Sequence, residues 1–104
     1  MGYKLKDNIN LDELKKYGYE INLQTKLAFK KIDLGFDKHG DFHSIMILIN
    51  ANEDKIIKFK HEINFYIGYS SNFIKLSFLK KRKYLKDLIK ANLIEKNKLG
   101  INET

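Results

Sequence analysis

Ile57-Lys58-Phe59-Lys60-His61-Glu62-Ile63-Asn64-Phe65-Tyr66-Ile67 is the stretch that decides the fold class. Ile57, Phe59, His61, Ile63, Phe65 and Ile67 share one parity, and Lys58, Lys60, Glu62, Asn64 and Tyr66 take the other. Side chains of an extended chain alternate between faces, so a sustained period of two is strand patterning. The run predicts one long strand, or two joined at a bend near His61 and Glu62. The stretch from Gly68 to Asn72 that follows is polar and turn-like.

Working upstream, Asn50-Ala51-Asn52-Glu53-Asp54 reads as a turn and residues 42–50 as a second strand. Ile45, Ile47 and Ile49 point one way, Phe42, Met46 and Leu48 the other. Apolar residues on both sides predict a central strand covered on both faces. Asp37-Lys38-His39-Gly40-Asp41 is a further turn. Before it, Tyr19, Ile21, Leu23, Leu27 and Phe29 alternate on odd positions, and Ile32, Leu34 and Phe36 on even ones. The change of phase predicts a bulge or break at Lys30-Lys31. Asn10 can cap a short helix over 11–17, with Glu13 reaching back to it and Gly18 ending it.

Downstream, Ile74, Leu76 and Phe78 fit a strand, and Ile74, Phe78, Leu85, Leu88 and Ile89 fit a helical stripe. A helix is expected from about Leu79 to Ala91, with Asn92 as C-cap and a closing strand over 93–96. The fold expectation is therefore α+β in one domain over 1–104. It has a short N-terminal helix, an antiparallel sheet of four to six strands and a C-terminal helix packed on one face.

The 104 residues contain no cysteine, proline or tryptophan, which excludes disulfides and thiolate chemistry in this sequence. The longest apolar run, Ile45 to Ile49, is far shorter than the roughly 20 residues of a membrane helix. Met1 to Asn10 is polar and lacks the pattern of a secretory leader. The expectation is a protein of the cytoplasm, with no membrane contact.

The net charge of +7 is unevenly spread. From residue 75 onward there are nine Lys or Arg against three acids, and before it eleven against ten. Lys80-Lys81-Arg82-Lys83 spans a full helical turn, and Lys83, Lys86 and Lys90 line up at three- and four-residue spacing. Such a stripe suits an anionic partner, since cationic side chains displace phosphate counterions. Tyr66 and Tyr69 stand near lysines and can stack bases. Lys80, Lys81, Arg82, Lys83, Lys86, Lys90, Tyr66 and Tyr69 are thus the candidate binding residues. An ordinary solvated helix face and tyrosines packed on strands explain the same residues. Arg82 is the sole arginine, whereas base-edge readers use more.

Other constellations are weaker. Asp37, His39, Asp41 and His43 would line up in an extended segment as metal ligands, but Gly40 makes the segment a turn. His61 falls on an apolar face without a partner to make it a base, because Glu62 points the other way. Ser70-Ser71 lack the surroundings of an activated serine, and no phosphate-cradling glycine loop is present. The expectation is no catalytic residue, no metal, no cofactor and no enzyme activity.

Leu5-Lys6-Asp7-Asn8-Ile9-Asn10-Leu11-Asp12-Glu13-Leu14-Lys15-Lys16-Tyr17-Gly18-Tyr19 resembles the opening of small uncharacterised proteins encoded by phages and prophages of low-GC Gram-positive bacteria. Asp87-Leu88-Ile89-Lys90-Ala91-Asn92-Leu93-Ile94-Glu95-Lys96 resembles their closing segment. These segments carry no functional residues. The resemblance implies a setting, a mobile element in a bacterial cell, in which small proteins often act by binding. In that setting the leading expectation is a non-enzymatic, anti-CRISPR-like inhibitor. It would block a host defence protein or nucleoprotein complex, such as a nucleic-acid-guided nuclease. The alternatives are a small nucleic-acid-binding regulator and a protein that sequesters an anionic signalling nucleotide.

Overall fold

The structure, a computed structural model, describes residues 2–97. Its centre is a five-stranded antiparallel sheet in the order β2-β3-β4-β5-β6. The strands are β2 (Glu20–Asn22), β3 (Leu27–Phe36), β4 (Phe42–Asn50), β5 (Ile57–Asn64) and β6 (Tyr69–Ile74). A separate ribbon pairs β1 (Gly2–Leu5) with β7 (Ile94–Asn97), antiparallel, with Gly2 opposite Asn97. The ribbon lies against the start of β5: Lys4 bridges to Ile56, and the Leu5 N–H donates to the Lys55 carbonyl at 2.9 Å.

The register gives the sheet two distinct faces. Ala28, Ile45, Ile47, Ile49, Ile57 and Phe59 are buried on the inner face. Over them pack Leu11 and Leu14 of a 3₁₀ helix (Leu11–Tyr17), Tyr3 and Leu5 of β1, Leu85, Leu88 and Ile94. This cover stops before the far end of the sheet, where His43, His61 and Ile63 are only half-buried. The outer face carries Phe29, Lys31, Phe42, Met46, Leu48, Lys58, Lys60, Tyr69 and Phe73, and no element lies over it among the described residues. The expectation that β4 is covered on both sides is therefore corrected. Its second apolar face opens outward, which antiparallel sheets permit.

The α+β expectation, with a long C-terminal helix on one face, is also corrected. Strand makes up 47% of the described residues, and the helices are short. In place of one helix over 79–91 there are α1 (Phe78–Tyr84) and α2 (Lys86–Lys90), broken at Leu85 with φ −105° and ψ 11°. The physical reason lies in the sequence of α1. Lys80 to Lys83 offer no apolar side chain, and short helices draw most of their stability from packing. The buried anchors, Leu85 and Leu88, come together only at the break. The chain then runs through Asn92, in the left-handed conformation (φ 61°), into β7.

Two runs of alternation cross turns. The period-two run from Ile57 is not one strand: β5 ends at Asn64, and residues 65–68 form a tight turn closed by the Phe65 N–H on the Gly68 carbonyl at 2.8 Å. Tyr19 to Phe29 is likewise a hairpin, β2 to β3, around residues 23–26. Asn22 shapes that turn by accepting from the Gln24 and Thr25 N–H groups. The phase change expected at Lys30-Lys31 lies further on. It is a bulge between Asp33 and Gly35, with Gly35 at φ 103°. The 3₁₀ helix forms where a helix is expected. Asn10 accepts from the Asp12 N–H at 3.0 Å, and Gly18 takes φ 88° to end it.

Candidate functional site

Most of the cationic residues singled out in the sequence fall on α1 and α2, but they do not form one patch. Lys80, Arg82, Lys83, Lys86 and Lys90 are exposed, whereas Lys81 is buried at the helix base. Ser77 caps α1 by accepting from the Lys80 N–H. The Arg82 guanidinium and the Lys96 ammonium both lie over the Phe78 ring, at 5.9 and 5.4 Å. Lys98 and Glu103, part of the same cationic tail, lie outside the described residues.

Lys83 and Lys86 meet two lysines that the sequence did not point to. A groove of about 480 Å³ runs between the helices and β3, lined by Lys30, Lys31, Ile32, Lys83, Tyr84, Lys86 and Asp87. It forms because β2 pairs only with Leu27 to Phe29, so β3 has no strand neighbour on that side from Lys30 onward. Lys31 belongs to this groove and also to the outer face. There it heads the cross-strand row Lys31, Met46, Lys60 and Phe73. The groove and the outer face therefore join at one lysine.

The outer face combines rings with ammonium groups. Phe73 and Tyr69 are each 58% exposed, and Phe36 is 74% exposed. Phe36 packs edge-on against Phe42 with centroids 4.9 Å apart. Lys60 Nζ stands 4.7 Å from the centre of the Phe73 ring. Phe73 also lines a second hollow of about 260 Å³, in which Lys58 and Lys60 face Glu53 and Asp54. In the middle of the face Glu62 is buried, at 3% exposure. Its Oε2 accepts from the Tyr69 hydroxyl at 2.5 Å, and Lys31 Nζ is 3.2 Å from Oε1. Burial pushes this carboxyl up. The Tyr69 hydrogen bond and the Lys31 and Lys60 charges outweigh it and hold the group below the usual carboxylate range. The carboxylate is thus held charged and matched by Lys31, while Asp33 shares the outer face and Asp54 stands 3.8 Å from Lys58 at its edge.

No family model, curated protein or solved structure matches the chain.

The chain's histidines tell a separate story. His61 is not alone: His43 Nδ1 is 2.9 Å from His61 Nε2, with the rings stacked at 5.1 Å, and His43 Nε2 is 2.7 Å from Asp37 Oδ2. Asp37 Oδ1 also accepts from the His39 and Asp41 N–H groups. With Asp37 ionised, His43 donates to it from Nε2, and a hydrogen bond links His43 Nδ1 to His61 Nε2. The sequence could not show this pair, because the contact crosses from β4 to β5 and no spacing rule links 43 to 61. Neither histidine lines a groove described above, so the chain of hydrogen bonds clamps the β3–β4 turn to β5. Among the described residues no group of three or more metal-ligating side chains converges, and the line of Asp37, His39, Asp41 and His43 is broken by the turn.

Tyr66 and Tyr69, the two tyrosines singled out in the sequence, part company. Tyr69 joins the outer face, while Tyr66 sits at the tip of the β5–β6 turn. There it is 100% exposed beside Ile67 at 92%. No described helix is long and apolar enough to cross a membrane.

Proposed function

We propose that the chain is a non-catalytic binding protein whose ligand is single-stranded nucleic acid laid across the outer face. The observation that carries this reading is an uncovered sheet face on which Phe36, Tyr69 and Phe73 are mostly exposed beside Lys31, Lys58 and Lys60. Aromatic rings stack on the bases of an unpaired strand, and cationic side chains track its backbone. The groove at Lys30, Lys83 and Lys86 extends the cationic track around the β3 edge through Lys31. Arg82 being the sole arginine favours sequence-tolerant binding over base-edge reading. In the setting implied by the terminal segments, holding a guide or target strand would block a nucleic-acid-guided nuclease without any catalysis.

Fluorescence anisotropy with labelled single-stranded and duplex oligonucleotides tests this. Single strands are expected to bind more tightly than duplex, with affinity falling steeply between ~50 and ~200 mM salt. Phe73→Ala is expected to weaken binding about tenfold, within the ~1–3 kcal/mol that a stacked base contributes. Equal binding of duplex, or no binding at low salt, overturns the reading. Binding of mononucleotides but not of oligonucleotides would move the ligand to the groove and to the anionic-nucleotide alternative.

A second reading, occlusion of a defence protein, is favoured by the β5–β6 tip. Phe65, Tyr66 and Ile67 are all exposed there, and contiguous exposed apolar side chains mark protein contacts.

A further inference from the structure

We infer that the chain pairs with a second copy of itself through the free edge of β6, which joins two five-stranded sheets into one of ten strands. The inference does not rest on the nucleic-acid reading.

An exposed strand edge presents unpaired N–H and C=O groups, and stable monomers guard such edges with charge, bulges or brevity. The other edges here are guarded. β2 is three residues long and carries Glu20. The free side of β3 beyond Phe29 carries Lys30, Lys31 and Asp33 and is interrupted by the bulge before Gly35. The β1–β7 ribbon carries Lys4, Glu95 and Lys96. β6 is six residues long, bonds only to β5, and contains neither a charge nor a bulge. β6 itself carries no charged residue, so two copies of a molecule of net charge +7 meet there with lysines only at the flanks, Lys60 on the Phe73 ring and Lys75 after the strand.

The strand is also self-complementary. Tyr69-Ser70-Ser71-Asn72-Phe73 reads as aromatic, polar, small, polar, aromatic in both directions. In an antiparallel pair, residues directly opposite share a face. A two-fold axis through Ser71 sets Tyr69 of each copy opposite Phe73 of the other on the outer face. It sets Ser70 opposite Asn72 on the inner one. Aromatic and polar cross-strand pairs are the stabilising kind, and a two-fold contact must be of this self-matching form. Any register shifted by a single residue would oppose side chains from unlike faces.

Sedimentation of the full chain from micromolar to millimolar concentration is expected to show a rise from the 12.3 kDa protomer to twice that mass. Asn72→Lys, at an exposed position, is expected to keep the chain monomeric over the same range. The register has its own test, because the sequence contains no cysteine to interfere. Ser70→Cys and Asn72→Cys chains are oxidised separately and as a mixture. Directly opposed strand residues lie within disulfide range, so the mixture is expected to give a linked dimer that neither variant gives alone. A wild-type chain that stays monomeric throughout overturns the inference. So does undiminished dimer in Asn72→Lys, or cross-linking of either single variant as fast as the mixture.

Discussion

Three side chains show how much a single polar atom decides in this molecule. Glu62 is tolerated on the outer face because Tyr69 and Lys31 both serve its carboxylate. Glu62→Ala leaves a hydroxyl and an ammonium group short of a partner. It is expected to lower unfolding stability by about 1–3 kcal/mol in urea titrations, with Glu62→Gln milder because the amide still accepts. Tyr19 is the opposite case. Its hydroxyl is buried with no hydrogen-bond partner among the described residues, while Lys30 stands over its ring. Tyr19→Phe is therefore expected to be neutral or to stabilise the chain by about 1 kcal/mol, because it removes a desolvated group without removing packing. Burial, with Asp87 adding to it, also raises the Tyr19 pKa, so that residue's contribution is present below pH 10 and lost as pH rises further. Asp37 works in acid. The hydrogen bond from His43 above all, aided by the Asp41 and His39 N–H groups, holds its carboxyl at about 2 against an ordinary 3.8. A depressed carboxyl stabilises above its unfolded value and loses that contribution as pH falls through the folded one. Acid titration of wild type and His43→Ala is expected to differ in slope between about pH 4 and pH 2.

At the level of elements, the parts legible in the sequence are those whose signals are local. Asn10 and Gly18 mark the first helix because a cap and a left-handed terminus are properties of single residues, and residues 42–50 form a strand as their alternation predicts. Gly18→Ala forces an L side chain to φ 88°, with its Cβ 3.3 Å from Lys30 Cε. The lysine tip can move and the backbone cannot, so a loss of about 1 kcal/mol or more is expected by thermal melting. What the sequence hid is where alternation stops. Phe65 and Ile67 keep the parity of Ile57 and Phe59 but lie in a turn, so a period of two alone ran β5 onward past its end. The break at Leu85 was equally hidden, since the stripe of Phe78, Leu85 and Leu88 is regular in sequence and only packing interrupts it. The candidate site was half legible. Lys83, Lys86 and Tyr69 stood out, but Lys30, Lys31, Lys60 and Phe73 join them only through strand register and the free side of β3.

For the whole molecule, the charge asymmetry seen along the chain does not become a single cationic pole. Lysines of β3, β5 and the helices form a belt that turns the β3 edge, in a body of 44 × 28 × 23 Å. Lys83→Gln with Lys86→Gln, both exposed, is expected to leave the melting temperature unchanged. If both touch a single strand, the doubly substituted chain is expected to flatten the plot of log affinity against log salt by about 1.4. The β1–β7 ribbon has a different bearing. Gly2 opposite Asn97 sets the two outermost strands of the described chain side by side, antiparallel and hydrogen-bonded. With Met1 and residues 98–104 replaced by a hairpin loop of about two to five residues, they become one continuous strand pair. New ends could then be opened at the exposed β5–β6 tip between Tyr66 and Ile67, and such a circularly permuted chain should fold to the same sheet, because the strands keep their pairing partners.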